Sequence, residues 1–88
     1  YGFDLKNIQI IDCKLVATDF TDCNLSGSKF NSCDLDKAIF INTDLSNADL
    51  GTSYHITLDP EQNKLKHAQF SLASLPGLLG KHEIRVSP

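Results

Sequence analysis

Val16-Ala17-Thr18-Asp19-Phe20, Thr21-Asp22-Cys23-Asn24-Leu25, Ser26-Gly27-Ser28-Lys29-Phe30, Asn31-Ser32-Cys33-Asp34-Leu35: set out in fives, four successive blocks end on a large apolar residue. The same phase runs outward through Leu5, Ile10 and Leu15 on one side and through Phe40, Leu45 and Leu50 on the other. From the third block onward a small side chain stands two residues before each: Cys13, Thr18, Cys23, Ser28, Cys33, Ala38, Thr43 and Ala48. A period of five matches neither the 3.6-residue turn of a helix nor the two-residue alternation of a strand. The unit is therefore a fixed repeat, to be read before any single element. Phe3 and Ile8 put bulk at the small position in the first two blocks alone, so either the stack ends there or its register is imperfect.

These blocks resemble the pentapeptide-repeat family, whose pattern is Ala, then Asp or Asn, then Leu or Phe, then two variable and mostly polar residues. The nearest matches are Cys33-Asp34-Leu35, Thr43-Asp44-Leu45 and Ala48-Asp49-Leu50. The resemblance implies an all-β solenoid, a right-handed quadrilateral β-helix with four blocks, or about 20 residues, per coil. It implies about 2.5 to 3 coils here, with a short C-terminal α-helix as cap. On that geometry Leu5, Leu25 and Leu45 share one wall, Ile10, Phe30 and Leu50 the next, Leu15 and Leu35 the third, and Phe20 and Phe40 the fourth. From Leu15 to Phe40 the centres alternate, so Leu and Phe there face their own kind across the interior, which matches volumes. The expected structural core is these ten residues together with Phe70.

The three cysteines, Cys13, Cys23 and Cys33, all fall at the small inward position, and none forms a Cys-x-x-Cys pair. They read as apolar fillers with free thiols in a reducing compartment. Cys13 and Cys33 stack about one strand spacing apart, roughly 4.8 Å. That distance permits a bridge, but parallel side chains do not offer its torsion easily.

Beyond Leu50 the pattern lapses over residues 51–58, and the chain divides into coils (1–50) and a C-terminal segment (51–88) of one domain. Asp59-Pro60-Glu61-Gln62 reads as a short helical turn with Asp59 as N-cap and Pro60 first. Lys66-His67-Ala68-Gln69-Phe70 restores the block once, so Phe70 closes a last partial coil. Ser71 or Ser74 then caps a helix running to about Lys81, with Leu72, Leu75, Leu78 and Leu79 on one face. Pro76 suits its first turn only if Ser74 is the cap. Gly80 and Lys81 suit its end, and Ile84-Arg85-Val86 a short edge strand. This tail also resembles the C-terminal segment of many bacterial members of the family. The chain lacks an initiating Met and its repeat is already running by Leu5, so a segment of a longer protein is expected.

The 88 residues carry a net charge of -3, with no basic footprint for nucleic acid and no apolar run long enough for a membrane span. His55, His67 and His82 are scattered and read as solvated surface; no pair of His or Cys has metal-ligand spacing. Gly27, Gly51, Gly77 and Gly80 make no phosphate-binding pattern. No catalytic, cofactor or metal site is expected, and the protein is not read as an enzyme. Residues 1–50 hold eight aspartates against four lysines, a net of -4, and the tail +1. Aspartate at the outward position reads as the family pattern and solubility.

Two functional readings follow. Outward positions should be polar, yet Ile11, Val16, Ile39 and Ile41 occupy them. Ile39 and Ile41 flank Phe40 and are either a partner contact or covered by the returning tail. The leucines at 72, 75, 78 and 79 must in part seal the open coil, and any surplus makes a two-fold homodimer contact. The preferred reading is a cytoplasmic, non-enzymatic protein-interaction or scaffold module whose protein partner is unknown, with no nucleic-acid or membrane partner. The alternative comes from the resemblance: quinolone-resistance members mimic duplex DNA and bind DNA gyrase. Against it, two and a half coils span only about 12 Å, whereas duplex DNA carries a charge every 1.7 Å or so.

Overall fold

In the computed structural model, which describes residues 2–78, the chain winds as a coil that comes back into register every 20 residues. One wall is a four-stranded parallel sheet in the order β1 (Gln9–Ile11), β2 (Lys29–Asn31), β3 (Asp49–Leu50), β4 (Gln69–Phe70). Its pairs are Gln9 with Lys29, Lys29 with Asp49, and Asp49 with Gln69. The other walls are bridges at the same spacing: Asp4–Asn24–Asp44–Lys64, Lys14–Asp34–Tyr54, and Asp19–Ile39. Four walls in 20 residues make the quadrilateral β-helix. The rungs are short parallel hydrogen bonds, such as Leu5 N–H to the Asn24 carbonyl (2.7 Å) and Asn24 N–H to that of Phe3 (2.8 Å).

The period of five comes from the corners. At Leu5, Leu15, Phe20, Leu25, Leu35 and Leu45 the central apolar carbonyl accepts the N–H three residues on, as from Thr18 to Leu15 (3.1 Å) and from Ala48 to Leu45 (3.0 Å), whereas the N–H groups of Cys33 and Thr43 go to Ser53 Oγ and Asn63 Oδ1. At every corner from Asn7 to Asn47 the residue just before the small position is left-handed, as the third position of a type II turn requires where that bond forms. Asn7, Asp12, Ala17, Asp22, Ser32, Lys37, Asn42 and Asn47 all sit there with φ between 52 and 60°, and Gly27 at 71°. Asn, Asp and Gly enter this region most readily, and they fill most of the corners.

Inside, Leu25, Phe30, Leu35, Leu45 and Leu50 are fully buried. Phe20 and Phe40 stack on one wall with ring centroids 5.2 Å apart, and Phe20 meets Phe30 edge-on at 6.1 Å across the interior. Leu5, Ile10, Leu15 and Phe70 are only half-buried and pack against this column from the first and last coils. Cys23 and Cys33 are buried, and all three thiols are free. Cys13 departs from expectation: it is exposed, because it belongs to the first coil and no described residue packs beneath it. Phe3, also in the small slot, is likewise exposed.

The coil carries on through residues 51–70 although its pattern lapses there. Ser53 is still buried at the small position, and Tyr54 still pairs with Asp34. His55 holds the slot of the large apolar residue but turns outward at φ 60°, and Ile56 and Leu58 enter the core instead. A 3-10 turn, Pro60–Gln62, capped by the Asp59 carboxylate, then returns the chain to register at Lys64.

Of the two starts expected for the tail helix, the one after Ser74 is found and the one after Ser71 is not. Leu72–Ser74 is a 3-10 turn, with Ser74 N–H bonded to the Ser71 carbonyl (3.0 Å), and among the described residues only α1 (Leu75–Leu78) is α-helical. The tighter pitch of the first turn breaks the phase of the leucines. Leu78 enters the core while Leu72 is 84% exposed, so these two do not share a face. Pro76 stands in the first turn of α1, where its missing N–H costs nothing. Gly77 lets α1 approach the third coil: a Cβ there would strike the Ile56 carbonyl, and the Gly77 carbonyl accepts the Leu58 N–H at 3.4 Å. The expectations for Leu79, Gly80, Lys81, His82 and the strand Ile84-Arg85-Val86 lie outside the described residues.

Candidate interaction surface

Two kinds of polar side chain work for the coil, and this decides which surface residues are available for anything else. The first is Asp or Asn immediately before the central apolar residue. Its Oδ1 accepts the N–H two residues on: Thr21 to Asp19 (2.9 Å), Ser26 to Asn24 (3.1 Å), Asp36 to Asp34 (3.1 Å), Ser46 to Asp44 (3.0 Å) and Gly51 to Asp49 (2.9 Å). These are Asx turns, which lead the chain into the corner. The hydrogen bonds from Thr21 and Ser46 hold the Asp19 and Asp44 carboxyls below the usual carboxylate range. Reading the outward aspartates as family pattern and solubility missed this role. Its signal was visible as Asp19-x-Thr21, Asn24-x-Ser26 and Asp44-x-Ser46.

The second is the hydroxyl or thiol at the small inward position. Ser28 Oγ donates to the Leu5 carbonyl (2.9 Å), Thr43 Oγ1 to that of Phe20 (2.7 Å) and Ser53 Oγ to that of Phe30 (2.5 Å), each 23 residues back. Asn63 Nδ2 does the same for Phe40 (2.9 Å). Small size alone does not account for this position: its polar members tie each coil to the one before it. Among the described residues every buried side-chain polar atom has a partner.

What remains is two surface features. On the third wall His55 Nδ1 lies 2.9 Å from Asp34 Oδ1, with the Tyr54 ring edge-on to the imidazole. The hydrogen bond raises the His55 pKa above its ordinary value and lowers that of Asp34. His55 is 60% exposed and belongs to no group of metal ligands, of which the described residues contain none.

On the fourth wall Ile39 and Ile41 are 41% and 46% exposed, on either side of buried Phe40. Around the next corner lies an open groove of about 230 Å³ lined by Asp22, Asn24, Asn42, Asp44 and Lys64 among others. Ile11 and Val16 are exposed singly on the first coil.

The coil, its corners and its Asx turns match one known repeat. The sequence pattern of pentapeptide repeats fits residues 4–51 in eight copies. The chain belongs to the pentapeptide-repeat family. A solved pentapeptide repeat protein from the Arabidopsis thaliana thylakoid lumen superposes with a TM-score of 0.74 at 24% identity, over 81% of this chain and 49% of that one. Trypsin-treated QnrB1, a plasmid-mediated fluoroquinolone resistance protein, aligns at 18% identity with a TM-score of 0.49, over 97% of this chain and 42% of its own. The chain thus spans about half the length, or less, of these solved structures. No curated protein matches the sequence. The first of these likenesses shows the fold.

Within this pentapeptide-repeat coil the residues singled out from sequence do not converge on one site. Ile39 and Ile41 stand together on one wall. Leu72 is exposed in the tail, Leu78 seals the coil, and Leu75 begins α1. No described helix is long and apolar enough to cross a membrane.

Proposed function

We propose that this pentapeptide-repeat domain is a non-enzymatic, cytoplasmic protein-binding module that uses its fourth wall. The observation that carries the reading is the exposed apolar pair Ile39 and Ile41, on a coil where polar side chains such as Asp19 and Thr43 serve turns and rungs. Burying two such side chains against a partner removes apolar surface from water at about 25 cal/mol per Å². A rigid coil presents them without an ordering cost. A homodimer contact through the tail has Leu72 at its disposal among the described residues.

The gyrase-directed DNA mimic finds less support. Asp19, Asp34, Asp44 and Asp49 each accept a hydrogen bond from the backbone of their own turn, so turn geometry accounts for where these charges stand. The test is cross-linking in cell lysate with the chain and its I39K/I41K variant, read by mass spectrometry. Loss of the cross-linked partner in the variant is expected. A partner set that the variant leaves unchanged overturns the reading, and inhibition of gyrase supercoiling by the chain would put the mimic in its place.

A further inference from the structure

The apolar pair and the groove are neighbours in the chain and in space. Asn42, which lines the groove, follows Ile41 directly, and the Ile41 carbonyl accepts the N–H of Asp22, another lining residue, at 3.0 Å. Asp19 pairs in register with Ile39 on the coil below. Two carboxylates, Asp22 and Asp44, line the groove with Lys64, and a third, Asp19, stands in register with Ile39. Asp22 Oδ1 accepts from Asn42 Nδ2 (2.8 Å), and Asp44 Oδ1 from the Ser46 N–H (3.0 Å). An ionised carboxylate offers about four acceptor sites, so both retain capacity for an incoming donor.

We propose that the Ile39–Ile41 shelf and this corner groove form one docking site for an extended segment of a partner protein, with an aliphatic residue followed two positions later by arginine or lysine. The proposal rests on the domain's being a binding module and names the chemistry of its partner. The acidic surround repels nucleic acid, anionic lipid and phosphorylated peptides, and attracts a cation. The spacing follows from backbone geometry. In an extended segment residues two apart share a side and stand about 6.6 Å apart, so an aliphatic residue on the shelf and a cation two positions later place the cation around the corner, where Asn42 and Asp22 line the groove. Arginine suits the groove better than lysine, because its planar fork can meet a carboxylate with two parallel bonds.

The test is an amide chemical-shift titration of the whole chain with the peptide acetyl-Gly-Leu-Ser-Arg-Gly-amide, and with the same peptide carrying Glu for Arg. The D22N/D44N variant removes the charge and keeps the fold. Asn24 already caps its turn through Oδ1, and Asn7, Asn42 and Asn47 already occupy the left-handed corners where Asp22 stands. The Arg peptide should shift the amides of residues 22–24 and 39–44, the Glu peptide should not, and D22N/D44N should weaken binding about fivefold. Shifts elsewhere, no shifts at all, equal binding of the Glu peptide or an indifferent D22N/D44N would each overturn the proposal. If the proposal fails while I39K/I41K still loses its cross-linked partner, the binding module stands and only this partner chemistry falls. If the cross-linked partner is also unaffected, both readings fall.

Discussion

Ala17 and Lys37 occupy equivalent corners of adjacent coils, with φ of 59° and 60°. Neither residue type enters this region readily: the left-handed conformation costs an ordinary side chain about 1–2 kcal/mol. At other corners the chain uses Asn7, Asn42 and Asn47 in the same conformation. Both side chains are exposed, so Asn in either place meets no packing obstacle. Each of Ala17→Asn and Lys37→Asn should therefore recover about 0.5–1 kcal/mol, and the double variant about 1–2 kcal/mol. The sites lie one coil apart and can couple, as Asn42 does with Asp22, so the sum is not required to be strictly additive. In a domain of this size a gain of 1 kcal/mol raises Tm by about 4–8 °C. Thermal and urea unfolding monitored by circular dichroism measure both. Lys29→Asn is the control: it makes the same charge change at an exposed position in β2, away from the left-handed corners. If A17N/K37N gains nothing, or K29N gains as much, then the corner conformation is not what limits these positions and the account of the five-residue period is wrong.

Phe30→Ala truncates a fully buried side chain in edge contact with Phe20 and should cost about 3–5 kcal/mol in urea unfolding. Gly77→Ala should drive α1 off the Ile56 carbonyl and cost about 1–3 kcal/mol. If it acts by undocking α1, Leu78→Ala should cost little more once G77A is present, and a fully additive double mutant would contradict that mechanism. His55 has a raised pKa in the folded chain because of its hydrogen bond to Asp34, so its stabilising contribution is complete below the ordinary value of 6.5 and is lost as pH rises through the folded value. Unfolding midpoints should therefore fall over that window, and H55Q should flatten the profile; a slope that survives in H55Q assigns it to other groups.

The spacing of large and small residues made the repeat and its column of Leu and Phe legible. Period and volume are local properties of the chain, and a coil of identical rungs repeats them without help from elsewhere. Ile39 and Ile41 were legible for the same reason, as breaks in a regular polar pattern. The division of labour among the polar residues was less so. Asp44 and Thr43 look like surface and filler until the turn shows where their hydrogen bonds go. His55 against Ile56 could not be read at all, because the choice of which side chain faces inward was made by the fit of the third coil against α1. The exposure of Cys13 also depended on position in the stack, since the same slot is buried only where another coil lies against it. The corner groove is likewise tertiary: its lining comes from residues about 20 apart, on coils that only the stacking brings together. Sequence by itself determined the repeating unit, because the five-residue turn and its inward side chains are set within each block. The tertiary structure decided the ends and the surface, because burial there depends on which coil or segment lies against them.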